Sequence, residues 1–150
     1  MTHGFDTTFL VAAEVVGHSN HTASRSRLSA LRSAGDDFAI APQVLAEFVH
    51  VVTDPNRFSA PLSMDAALSR AETWWSSGEV RQVVPNAVTM VEFFAWMREH
   101  RLGRKRILDT LLAATYKAAG IASVLTINAG DFVVLGYFQI VEPNGGSRFA

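Results

Sequence analysis

Apolar and polar positions along the chain switch repeatedly between a helical period and short apolar runs of strand length. "TTFLVAAEVV" (7–16) predicts a helix that "GHSNH" breaks. "TASRSRLSALRSAG" (22–35) puts Leu28, Leu31 and Ala34 at helical spacing, turns Arg25, Arg27 and Arg32 to water, and stops at Gly35. "DFAIA" (37–41) predicts a strand. Pro42 then opens the helix "PQVLAEFVHVVTD" at a favoured first-turn position. Ser63 caps the helix "MDAALSRAETWWSSG", and "EVRQVVP" (79–85) is a strand. "NAVTMVEFFAWMREHRLG" (86–103) and "DTLLAATYKAAG" (109–120) are helices that end at Gly103 and Gly120. "IASVLTIN" (121–128) and "YFQIVEP" (137–143) are strands, and residues 3–6 form a short first strand although "HGF" has poor strand propensity. This alternation predicts a three-layer α/β/α sandwich around a mostly parallel central sheet. The expected organisation is one domain over 1–143, with a frayed tail over 144–150.

Composition narrows this picture. The 150 residues are 49 % hydrophobic and 18 % charged, which suits a single folded domain with a real core. The net charge of −1 leaves no global basic field, so an anionic partner would need a local patch or bound cations. The absence of cysteine removes disulfides and thiolate chemistry. The first residues lack a basic leader segment, and no window reaches the roughly 20 apolar residues of a membrane span, so a cytoplasmic protein is expected.

In open parallel sheets, sites form outside the carboxyl ends of the strands. Four acids border apolar segments there. Asp6 follows the first strand, Glu47 lies among apolar residues in "VLAEFVHVV", Asp109 opens an apolar helix, and Asp131 follows the strand ending at "LTIN". Glu47 is expected to point inward or into a cleft, because positions 44, 48 and 51 around it are apolar. Two carboxylates about 4 Å apart repel by roughly 4 kcal/mol at an effective dielectric near 20. Such a cluster calls for a cation, and oxygen-only ligands favour Mg²⁺ or Mn²⁺. The competing reading is structural: Asp109 as a helix cap, and Glu47 as a buried acid paired with an arginine. Thr7 either orders a metal-bound water or caps the next helix, Thr8 reads as a cap, and Thr126 reaches the site from its strand end. The basic run "RLGRKR" (101–106) brings Arg104, Lys105 and Arg106 near Asp109 as phosphate contacts or as a solvated helix end. His18, His21, His50 and His100 show no zinc spacing. Trp74, Trp75, Phe93, Phe94 and Trp96 read as core or as a dimer face.

The order "FDTTFLV", "APQVLAEFVHVV", "ILDTLLAATYKAAG", "LTINAGDF" resembles PIN domains of the VapC toxin family over about residues 3–143. The resemblance implies a magnesium-dependent endoribonuclease, working as a homodimer and paired with a small cognate antitoxin. Transfer RNA is the family-level substrate expectation. It also implies that Asp6, Glu47, Asp109 and Asp131 are catalytic and that Asp6, Glu47 and Asp109 hold the metal with Asn128 or Asp131 as the fourth ligand. Family members carry Asp or Asn at 128 and commonly Asp at 131, so with Asn128 here Asp131 either supplies the missing charge or only supports the site. An antitoxin inserting Arg or Lys into the acidic pocket is expected to lie along Phe9, Leu10, Leu28 and Leu31. The alternatives are a metal-dependent phosphatase or DNA nuclease, and a degenerate PIN domain that binds RNA or protein without cleaving.

Overall fold

A computed structural model describes residues 1–145 in full and the backbone of 148–149. Among the described residues, β1 (Thr2–Phe5), β2 (Asp37–Ile40), β3 (Val80–Gln82), β4 (Ser123–Leu125), β5 (Gln139–Val141) and β6 (Arg148–Phe149) form one sheet of order β3-β2-β1-β4-β5-β6. The first five strands are parallel, and β6 pairs antiparallel with β5. Residues 146, 147 and 150 of the expected tail lie outside the described residues.

The helices follow from the order of the strands. The chain runs from β1 to β2 to β3 in one direction, through α1 (Thr7–Glu14), α2 (His21–Ser33), α3 (Pro42–Val52) and α4 (Met64–Trp75). It then crosses back through α5 (Ala87–Glu99) and α6 (Ile107–Ala118) to β4 on the other side of β1. Right-handed crossovers place helices on opposite faces when the direction of travel reverses. The contacts agree, since α1 packs on α2 and α3, α3 on α4, and α5 on α6. The reversal lies between β1 and β4, which is therefore the switch point where the crevice opens.

Local signals hold at the ends of these elements. Ser63 Oγ accepts from the Ala66 amide at 3.1 Å and caps α4. Asn86 and Thr89 form a reciprocal capping box on α5. Gly120 takes φ +75° just after α6, as a C-terminal stop requires. The strands are shorter than the apolar runs suggested, and α7 (Gly130–Val133) occupies part of "NAGDF", where no helix was expected.

The unpromising first strand has a specific explanation. His3 is buried, with Nδ1 2.7 Å from Ser123 Oγ and Nε2 3.2 Å from Asp36 Oδ2. Asp36 also accepts from the N-terminal ammonium at 2.8 Å. Gly4 lies under the Tyr116 ring, where a Cβ would meet ring carbons at 2.7 Å. Tyr116 is fully buried, and its hydroxyl donates to the Phe5 carbonyl at 2.6 Å. β1 is thus chosen for its partners rather than for its propensity.

One expectation is corrected here. Phe9, Leu10 and Leu28 are fully buried and Leu31 is half-buried against the core, so they offer no open groove. They pack α1 and α2 onto the sheet, because α1 is apolar nearly all round. The aromatic group divides: Trp74 and Trp96 join the core, whereas Phe94 is 49 % exposed on α5.

Candidate active site

Asp6 leaves β1 at the switch point, and its amide donates to the Leu125 carbonyl of β4 at 2.9 Å. Its side chain is 4 % exposed. An ionised carboxylate there needs donors, and two hydroxyls supply them. Thr8 Oγ1 donates to Asp6 Oδ2 at 2.6 Å, and Thr126 Oγ1 donates to the same oxygen at 2.7 Å. Burial pushes the Asp6 carboxyl above its usual range; the two hydroxyls oppose that shift, and repulsion from Glu47 adds to it.

Thr8 therefore does not act as a helix cap. Besides holding Asp6, it accepts from the Ile127 amide at 3.2 Å and so ties α1 to the segment after β4. Thr126 in turn accepts from the Asn128 amide at 3.0 Å. The only sequence signal for Thr8 was its place two residues after Asp6, which is equally the signal for a cap. We expect Thr126→Val, nearly isosteric, to destabilise the protein by about 1–3 kcal/mol, because a buried carboxylate loses a donor and the Asn128 amide its acceptor. Urea unfolding of the variant at pH 7 checks this.

Glu47 is not buried. On α3 the residues turned outward are Gln43, Ala46, Glu47 and His50, a stripe at helical spacing. The apolar neighbours at 44, 48 and 51 face the core instead. Glu47 stands at the wall of the crevice and accepts from Thr7 Oγ1 at 3.1 Å, and among the described residues no arginine pairs with it.

Asp109 is the third residue of α6, half-buried, in the first turn. Its carboxyl is pushed up to about 6, first by burial and then by the negative charges of Asp131, Asp6 and Glu47, with Arg106 opposing. The four acids therefore share one electrostatic neighbourhood. Among the described residues, however, no three His, Asp or Glu side chains converge closely enough to ligate a single ion.

Asp131 is already engaged. On α7 it accepts from Arg106 Nη1 at 2.5 Å, and the same nitrogen reaches the Gly130 carbonyl at 3.3 Å. Arg106 closes the 3-10 turn Arg104–Arg106 that leads into α6. Arg104 and Lys105 on that turn are exposed. Asn128 is exposed and lines the crevice.

Two hollows open at the crevice and share Thr7 and Glu47. One, of about 500 Å³, also holds Thr8 and Asn128; the other, of about 280 Å³, holds Asp109, His50 and Leu108. Glu47 thus sits between two places where a chain-like ligand could lie, and Asp109 lines the smaller one.

Fold and site together define an α/β/α sandwich protein with an acid-lined crevice at its switch point. Residues 5–132 match the PIN domain family, and the chain belongs to that family. The chain is similar to Ribonuclease VapC24 of Mycobacterium tuberculosis, 26 % identical over 139 residues, covering 92 % of this chain and 94 % of that protein. The fold is shared with M. tuberculosis VapC20, described as a sarcin-ricin loop cleaving toxin, at a TM-score of 0.69, 20 % identity, and coverage of 91 % of this chain and 96 % of that one. It is also shared with VapBC2 from Rickettsia felis bound to a DNA fragment from their promoter, at a TM-score of 0.69 and 18 % identity, covering 95 % and 98 % of the two chains.

Proposed function

We propose that this PIN-domain protein is an endoribonuclease, the toxin of a toxin–antitoxin pair, that cleaves RNA with a divalent cation, Mg²⁺ or Mn²⁺. The observation that carries the reading is the shared electrostatics of the acids. Asp109 is pushed up to about 6 by burial and by Asp131, Asp6 and Glu47, with Arg106 opposing them, and Glu47 lines both hollows of the crevice. Similarity to proteins named as VapC ribonucleases and toxins supports it.

The donor set fits a hard cation. It consists of oxygen atoms only and carries surplus negative charge; Mg²⁺ is commonly bound through one or two carboxylates while keeping several waters, so an open cluster suits it. Asp6 and Asp109 would hold the ion, with Glu47, Asp131 and Asn128 around them. Bound there, it would supply charge neutralisation at a phosphate and a more acidic water. Thr8 and Thr126 lock the Asp6 rotamer, and Thr7 orients Glu47, which is exposed and so placed to take a proton from a water in the crevice. Arg104 and Lys105, beside Asp109 on α6, would steer the RNA backbone, while Arg106 holds Asp131.

A small antitoxin presenting Arg or Lys to the acids is the partner this charge calls for. A second copy of the chain would cover exposed apolar side chains such as Val91 on α5 and Leu108 on α6, 68 % and 72 % exposed. No described helix is long and apolar enough to cross a membrane, which is compatible with the cytoplasmic setting such a toxin needs.

The test is cleavage of single-stranded RNA and of DNA of the same sequence, with Mg²⁺, Mn²⁺ or chelator. RNA cleavage that chelator stops is expected, and DNA should stay intact. DNA cleavage would replace this reading with a DNA nuclease, and no cleavage by the folded protein would favour a binding domain. In the same assay Asp131→Ala should cost more than Asn128→Ala, since it removes a charge from the cluster and also releases Arg106. The reverse order would make Asn128 the nearer ligand.

A further inference from the structure

The larger hollow beside the acids is chemically unlike the acid cluster itself. Its far wall carries His18, Arg57 and Phe58, with aliphatic cover from Val11, Val51 and Ile127. None of these has a part in holding a cation. The His18 ring is fixed: Nδ1 accepts from the Asn20 amide at 3.0 Å. A neutral imidazole whose Nδ1 accepts carries its proton on Nε2, so His18 offers one N–H donor. Arg57 is exposed and its Nε lies 3.4 Å from Asp54 Oδ2, which leaves its two terminal nitrogens as donors. Phe58 is half-buried and packs one side against the core.

The combination decides what would lie there. A phosphate would have no use for a ring and three aliphatic walls, and a purely apolar group would leave two donors and the Asn128 side-chain amide unmatched. A nucleobase has both kinds of surface: π faces for a ring to stack on, and an edge of acceptors and donors for imidazole, guanidinium and amide to read. A volume of about 500 Å³ lies in the range of small-molecule sites. The hollow meets the acids at Glu47 and at Thr8, whose hydroxyl holds Asp6.

We propose that the His18–Arg57–Phe58 hollow is a base-recognition subsite, which takes one unstacked nucleotide flanking the cleaved phosphate and sets the sequence preference of the enzyme. The proposal rests on the ribonuclease reading above. The second hollow has Leu108, Leu111 and Leu112 in its walls and lacks an arginine, so recognition is one-sided.

Two measurements test it. In the first, wild type, His18→Ala, Arg57→Ala and Phe58→Leu each digest a pool of single-stranded RNAs randomised around one cut position. Phe58→Leu retains apolar bulk against the core, and thermal melting of each variant confirms folding. Preference at one nucleotide position next to the cut should flatten in all three variants, while the other positions keep theirs. In the second, the four nucleoside 5′-monophosphates are titrated into wild type in the presence of chelator, followed by the NMR signals of the His18 ring and the Asn128 amide. One base should bind tightest, with a roughly 5- to 100-fold loss in Phe58→Leu, the range for removing a stacking ring. Unchanged cut-site preference in folded variants, with no base-selective binding, overturns the subsite even if RNA cleavage is intact. Base-selective binding without RNA cleavage by wild type would keep the subsite and remove the ribonuclease reading. If the three substitutions alter only inhibition by a protein partner, the hollow is a docking site and the proposal fails.

Discussion

Asp109→Asn is expected to lower RNA cleavage by more than about 100-fold and, at pH 7, to make the metal-free protein more stable. The loss of activity follows from the site: even residues that only support metal ligands cost 10- to 100-fold, and Asp109 lies in the cluster itself. The gain in stability follows from the raised carboxyl. Its folded value is about 6 against an ordinary 3.8, so the folded state holds the Asp109 proton more tightly than the unfolded chain does. Wild type therefore loses stability as pH rises from about 4 to 6 and stays at the lower level above that. Asn carries no charge and escapes this loss. Because Asp109 is only half-buried, the gain is on the order of 1 kcal/mol, or a few degrees in Tm for a chain of this size. Melting curves with chelator at pH 4 and pH 7 check it: the difference between variant and wild type should be present at pH 7 and vanish at pH 4. Asp6→Asn should lose activity similarly. Its stability gain should be smaller, because Thr8 and Thr126 already support the ionised form of Asp6.

Gly4→Ala is the largest expected loss of stability from a single added carbon. The new Cβ would fall 2.7 Å from Tyr116 ring atoms in the middle of β1, between β2 and β4. The ring cannot step aside, since it is fully buried and its hydroxyl is held at 2.6 Å by the Phe5 carbonyl. Overpacking of this kind costs about 1–3 kcal/mol and, with sheet on both sides, the upper end is expected. Asp6 follows two residues later, so the strain should reach the site as well. Chemical denaturation of Gly4→Ala, Tyr116→Leu and the double variant checks the cause. The double variant should be more stable than the sum of the two single losses predicts, because the shorter side chain makes room for the new methyl. Additive losses would mean that the ring is not the obstacle.

Much of this protein is determined by local sequence. Helix positions follow from apolar spacing and from caps such as Ser63, Asn86 and Gly120, which act within a few residues of themselves. The parallel sandwich follows from alternating strands and helices, and the four acids could be picked out because charge next to apolar runs needs a reason. Tertiary structure decided which way those acids face and what holds them. Position 47 has apolar neighbours on a helix whose solvent stripe passes through it, and only the packing of α3 shows which stripe meets the sheet. Thr126 meets Asp6 across 120 positions, and Tyr116 meets Phe5 across 111. Arg106 takes Asp131 across 25, through a four-residue helix too short to show a period. Local periodicity carries no information about such pairs, because it reports the preference of a segment for water or core and not the identity of the group that arrives from elsewhere in the chain.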